Sequence, residues 1–322
     1  MPIRSHTTPR AYLQRFATPA KRGEGKLWVY ERGKPRRQGT PKSEGAERGF
    51  LLAKLQNGTF DDRPAEEWAQ QIEDRALEAL IHAQNPCFVW TDNNRKRMAE
   101  YWALLFVRAN AAFRFHRATW EKHFAELQDK ILSDATLRRQ LARRYSFLSG
   151  RNVTEEEIVD VCGRVIPNLR TEAEMRSHYV QRLQHRTAMF SSLLLEKQWQ
   201  IWVPPDTCEF VTCDSPVMTL RFDQWGRYYV GDGFGRDGVV VLLPLSPKAC
   251  LFGGLGGYPT RTVTDDDVWE VNKVLVSSCS RFTYSKNTDD RIDALVQERA
   301  GSIRYGVDAF RGPEVEALQL LL

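Results

Sequence analysis

Two short stretches carry side chains suited to acid–base chemistry on a charged substrate. "SHTTPRAYLQRF" (5–16) places His6 four residues before Arg10. An imidazole titrates near neutrality and can give or take a proton, while a guanidinium neutralises phosphate. "TCDSPV" (212–217) places Asp214 before Ser215 and Pro216. Asp-x-Pro at a strand end holds a carboxylate on a tight turn, with the Thr212 or Ser215 hydroxyl able to hold its second oxygen. Such a carboxylate can orient a histidine, help to hold a divalent metal or act as a base. A third set, Arg108, Asn110, Arg114 and His116, interrupts the apolar run "YWALLFVRANAAFRFH" (101–116). An arginine in so apolar a helix requires either a carboxylate, with Glu73 and Glu100 as candidates, or a ligand anion.

Combined, these residues give one reading of a composite site that hydrolyses nucleic acid or another phosphate ester. His6 is its general base or acid, and Asp214 orients His6 or helps to hold a divalent metal. Arg10 and Arg108 neutralise phosphate, with Tyr12 and Ser215 as further substrate contacts. A competing reading makes the same motifs structural: His6, Asp214 and Pro216 staple the N-terminus to a sheet in a non-catalytic binding or regulatory protein. Other signatures are absent. There is no Gly-x-x-x-x-Gly-Lys, His-Glu-x-x-His or Gly-x-Ser-x-Gly, which removes the usual support for nucleotide triphosphatase, zinc protease and esterase readings. His116/His123 and His178/His185 are seven apart, whereas helical metal pairs use spacings of three or four.

Charge distribution points the same way as the arginines. The chain of 322 residues carries a net +5, but residues 1–50 hold twelve Lys/Arg against four Asp/Glu, so the other 272 sum to −3. "ERGKPRRQGTPKSEGAERG" (31–49) reads as an exposed basic loop that would attract nucleic acid, although no aromatic residue interleaves its cations. With 42% hydrophobic and 27% charged residues, and no repeat or low-complexity tract, the chain is globular in composition. No apolar run approaches the ~20 residues that cross a bilayer, and the N-terminus lacks a signal-peptide core, so a cytoplasmic location is expected. The six cysteines are scattered without a Cys-x-x-Cys pair, and buried free thiols are expected.

The elements that must position these residues fall into two regions. Asp61, Asp62 and Pro64 open a helix with Trp68, Ile72, Ala76 and Leu80 on one face. A longer helix runs from about Asp92 past His116. "TEEE" (154–157) and "TEAE" (171–174) fit the capping-box pattern, the second opening a helix to about Lys197. Pro9 starts a short helix that buries Tyr12, Leu13 and Phe16, leaving His6 just ahead of it in irregular structure. After Lys197, β-branched and aromatic runs broken by Pro, Gly and Asp read as strands, with "GDGFGRDG" (231–238) as a hairpin loop. Thr264 caps one further helix. The expected fold is α+β: one domain over 1–322, with a helical part (63–197), a mostly antiparallel C-terminal sheet (198–286) joined by the N-terminal segment, and the basic loop (31–49).

Five motifs in fixed order also carry a resemblance. They are His6-x-x-Pro9-Arg10-x-Tyr12-Leu13-x-x-Phe16, "LWVYER" (27–32), "FVTCDSPV" (210–217), "LLPLSPKACL" (242–251), and Asn272 ahead of "SRFTYS" (280–285). The chain resembles the domain of unknown function 4238 family, whose members open with His-x-x-Pro-(Arg/Gln)-x-Tyr-Leu and later carry Thr-Ser-Asp-x-Pro-Val. Cys213 replaces the usual serine and Ser215 a common asparagine, while Asp214 and Pro216 are kept. The resemblance implies one intracellular domain, widespread in bacteria, and brings no established activity.

Overall fold

The computed structural model describes residues 4–20, 24–83, 90–222, 228–230, 234–256 and 259–302. The N-terminal part contains β1 (Arg4–His6), α1 (Arg10–Gln14), β2 (Leu27–Glu31), β3 (Arg37–Gly39), β4 (Ala46–Arg48), β5 (Ala53–Lys54) and β6 (Phe60–Asp61). Pro9 is the N-cap of α1, and Tyr12, Leu13 and Phe16 are buried as expected. His6, by contrast, lies within a strand, because β1 pairs antiparallel with β4 and sets His6 opposite Ala46. The basic segment is likewise no loose loop: β3 adds to β2, and β4 to β1.

Seven helices follow among the described residues. α2 (Arg63–His82) buries Ala69, Ile72, Ala76 and Leu80, and Asp61 Oδ1 accepts from the Arg63 amide at its start. The long helix expected from Asp92 is two, α3 (Asp92–Val107) and α4 (Asn110–Ser133), because Ala109 is extended between them. The Val107 carbonyl left without an intrahelical donor there accepts from the Tyr179 hydroxyl. α5 (Ala135–Ser149) and α6 (Glu155–Leu169) form a hairpin, the latter opened by a capping box between Thr154 and Glu157. The helix expected to reach Lys197 is interrupted at Arg182 into α7 (Glu172–Gln181) and α8 (Leu183–Leu195). At its start Thr171 accepts from the Glu174 amide.

The C-terminal part contains β7 (Trp199–Val203), β8 (Thr212–Cys213), β9 (Met218–Phe222), β10 (Tyr228–Val230), β11 (Val239–Ser246), β12 (Ala249–Gly253), β13 (Thr260–Thr262), α9 (Asp265–Ser278), β14 (Phe282–Ser285) and α10 (Asp290–Arg299). A six-stranded sheet has the order β10-β9-β11-β12-β7-β13, antiparallel except where β13 joins β7. A four-stranded antiparallel sheet has the order β3-β2-β14-β8, so the N-terminal segment does join C-terminal strands. β10 and β11 are not hairpin partners, because they pair with β9 from opposite sides; the expected hairpin loop (231–238) lies partly outside the described residues, at 231–233.

β11 shows why its sequence is apolar from Val239 to Leu245. Side chains alternate across a strand. Val239, Val241, Leu243 and Leu245 enter one core with α1, α2, α3 and α8, while Val240 and Leu242 enter another beneath α9 and α10. Helices cover both faces, so Val239 to Leu245 are all buried. A third, small cluster of Ile131, Ala142, Val153 and Ile158 holds the α5–α6 hairpin to the end of α4. The five described cysteines are free thiols, with Cys213, Cys250 and Cys279 buried; Cys87 lies outside the described residues. Among the described residues no helix is long and apolar enough to cross a membrane.

Candidate functional site

Asp214 sits one residue past β8, where its backbone extends the ladder to β14: its N–H donates to the Phe282 carbonyl at 3.0 Å. The segment leading into β8 is fixed by the buried Asn272 of α9, whose side chain accepts from Val211 N–H and donates to the Glu209 carbonyl. The carboxylate is 2% exposed and accepts two backbone hydrogen bonds, from Ser280 N at 2.6 Å and Phe282 N at 3.1 Å. Neither expected hydroxyl holds it. Thr212 Oγ1 bonds the Tyr12 hydroxyl instead, and Ser215 Oγ bonds Ser280 Oγ at 3.1 Å. Burial pushes the Asp214 pKa up to about 6, outweighing the two N–H donors and the Arg114 charge, which pull it down.

This carboxyl opens onto a cleft of about 640 Å³. α4 lines one wall with Asn110, Phe113, Arg114 and Arg117, and α7 adds Glu172 and Arg176. The opposite wall is the β14 strand with Ser280 and Arg281 before it, and Arg37 with residues 43–47 of the basic segment closes the end. Five arginines thus share the cleft with four carboxylates, and most are held. Arg37 forks onto the buried Glu44, with both N···O distances 2.8 Å. Arg176 bonds Glu47 and Glu172, both at 2.6 Å, and lies 4.8 Å from the Phe113 ring centre. Arg117 pairs with Glu121, and Arg281 with Glu31 while lying over the Phe282 ring. Arg114 is exposed and makes no hydrogen bond or ion pair with any described residue, leaving its guanidinium for a ligand.

The sequence-derived candidates are only partly brought together. Asp214 lines the cleft, and so do Asn110 and Arg114 of the third set. His6 does not line it, although the adjacent Thr7 and the cross-strand Ala46 do. Arg10 is turned away and pairs with Glu24 at 2.8 Å. Arg108, 1% exposed, binds Glu73 at 2.6 Å and Glu66 at 2.8 Å, which is the carboxylate partnership its apolar surroundings required. Glu100 instead pairs with Arg75. Tyr12 is fully buried, and its hydroxyl bridges Thr212 Oγ1 and the Pro244 carbonyl, each at 2.7 Å, tying α1 to both large sheets. Ser215 is buried beside Asp214 and does not line the cleft.

Sequence reasoning did not single out Arg37, Arg176, Arg281 or the Ser280 and Phe282 amides. The available signal was the recurrence of "SRFTYS" among the ordered motifs, since its backbone makes the Asp214 cradle. His116 and His178, which no helical spacing relates, stack across α4 and α7 with ring centres 5.4 Å apart. Burial lowers their pKa values to about 3 and about 4. Among the described residues no group of three or more His, Cys, Asp or Glu side chains is placed to hold a metal ion. The family model described as "Protein of unknown function (DUF4238)" matches residues 4–289. No curated protein and no solved structure matches the chain.

Proposed function

The chain belongs to the DUF4238 family, and since membership brings no activity with it, we propose a function from the cleft itself: a cytoplasmic hydrolase of nucleic acid or another phosphate ester. The observation that carries this reading is a buried carboxyl, its pKa raised by burial to about 6, opening onto a cleft where Arg114 acts on it by charge and makes no hydrogen bond or ion pair with any described residue. A carboxyl tuned to that range is mostly ionised at pH 7 and can take the proton of an attacking water. Arg114 and Arg117, on the exposed side of α4, neutralise the phosphate. Arg37 is the contribution of the basic N-terminal segment to nucleic acid binding. In this reading His6 is a positioning residue that holds β1 against β4 behind the lining residues Thr7 and Ala46.

One observation favours the non-catalytic alternative: both Asp214 oxygens already accept backbone N–H groups, as a staple between β8 and β14 would. Cleavage of end-labelled RNA and DNA, with magnesium, manganese or a chelator, separates the two. Catalysis by Asp214 predicts that Asp214→Asn loses roughly 10²-fold or more in rate while remaining folded, and that Arg114→Ala raises KM. If no substrate is cut, or folded Asp214→Asn cuts like the parent, the cleft only binds and the staple is the role of Asp214.

A further inference from the structure

We propose that the outer face of α5 is a docking surface for single-stranded nucleic acid, on which Phe147 stacks against a base while Arg143 and Arg144 neutralise neighbouring phosphates. The proposal stands on its own observations and holds whether or not the cleft is catalytic.

α5 reads ATLRRQLARRYSFLS, with four arginines and no acidic residue. Arg138 and Arg139 both approach Glu155 of α6. Arg143 and Arg144 are exposed and have no hydrogen bond or ion pair with any described residue. The same turn exposes large apolar side chains: Phe147 is 87% accessible and Leu148 68%. Packing does not require them there. The inner side of α5 already buries Ala142 against Ile131, Val153 and Ile158, with Leu137 and Leu141 packed on that cluster.

The arrangement around the helix decides the kind of partner. Residues three and four apart are neighbours on a helix surface. Phe147 lies four after Arg143 and three after Arg144, so it shares an exposed helix face with both, and Leu148 follows Arg144 by one turn. A helix that lies on a membrane separates its apolar face from its cations. Here the aromatic ring and the cations are interleaved, as a surface that stacks bases and tracks a phosphate backbone requires. The basic segment 31–49 lacks this interleaving.

The test is fluorescence anisotropy with labelled single strands of uridine or thymidine, ~20 nucleotides long so as to exceed one binding site. A chelator is present, and a salt series is run for the parent and each variant. Phe147→Ala should weaken binding roughly tenfold or more, with Phe147→Trp restoring it. Arg143→Ala with Arg144→Ala should flatten the dependence of log K on log salt by about 1.4, the loss of two phosphate contacts on a single strand. Unchanged thermal melts check that these surface variants remain folded. The same measurement on Arg75→Ala, at an exposed α2 arginine that pairs with Glu100 and lies outside both the cleft and α5, should give parental affinity, which ties the loss to the outer face of α5. The proposal fails if the parent binds neither strand, or if Phe147→Ala binds as the parent does. It fails equally if Phe147→Ala instead abolishes binding to phosphatidylserine vesicles or self-association in sedimentation, since the face would then serve a membrane or a second copy.

Discussion

The raised pKa of Asp214 has a consequence for stability that can be measured apart from any activity. The carboxyl titrates at 3.8 when unperturbed and at about 6 in the fold, so between those values the folded state binds more protons than the unfolded one. Stability from this group is complete below pH 3.8 and is lost as pH rises through about 6. A shift of ~2 units corresponds to about 3 kcal/mol, of which about 2 kcal/mol falls between pH 4.5 and 7.5. Glu73 is also raised to about 6 by burial and drifts in the same window, so the parent curve alone is not diagnostic. Asp214→Asn isolates the group. The amide cannot titrate, and its nitrogen cannot accept, so either the Ser280 or the Phe282 N–H loses its acceptor. That loss is a constant offset of about 1–3 kcal/mol. Urea unfolding of both proteins from pH 4.5 to 7.5 should therefore show the parent losing about 2 kcal/mol relative to the variant as pH rises. A flat difference across this window would mean that Asp214 titrates normally, and a difference of opposite sign that its two N–H donors outweigh burial; either result removes the physical basis for an acid–base role.

Three further outcomes follow from the same geometry. Arg108→Ala should destabilise the fold by about 3–5 kcal/mol in denaturant unfolding, because it leaves Glu73 buried and uncompensated; loss of ligand binding at unchanged stability would instead give Arg108 a substrate role. Tyr12→Phe should cost about 1–3 kcal/mol, since Thr212 and the Pro244 carbonyl are left buried without their shared partner, and a melt equal to the parent's would refute the bridge. His116 and His178 have depressed pKa values, so both imidazoles should remain neutral at pH 5 by NMR, and the stability they contribute should fall as pH drops from 6.5 towards their folded values; titration midpoints near 6.5 would count against their burial.

The α+β class was legible because its signals are local. Pro9 with Tyr12, Leu13 and Phe16, the Thr154–Glu157 and Thr264–Asp267 capping boxes, and the continuous apolar run of β11 each act within a few residues. What misled was equally local. The apolar period from Met98 to His116 continues across Ala109, whose extended backbone splits the helix without breaking the pattern. His6 looked irregular because its strand partner, Ala46, is forty residues away, in a segment whose charge and glycines resemble a loop.

The site was less legible, and Arg108 and Arg114 show why. Both interrupt the same apolar run six residues apart, and by type alone either could meet a ligand anion. Arg108 caps α3 against α2, where Glu66 and Glu73, seven apart and so on one helical face, converge on it. Glu73 follows Ile72 within the buried stripe of α2, and an acid there requires a buried cation, a signal that was present in the sequence. Arg114 makes no ion pair with any described residue; its charge acts on Asp214 across the cleft that both line. The two arginines are told apart by which carboxylates lie on the facing element, and that depends on how the helices pack. Asp214 could be found because a single carboxylate between apolar runs requires an explanation whatever surrounds it, whereas the Ser280 and Phe282 amides that cradle it are backbone groups with no side-chain type to read.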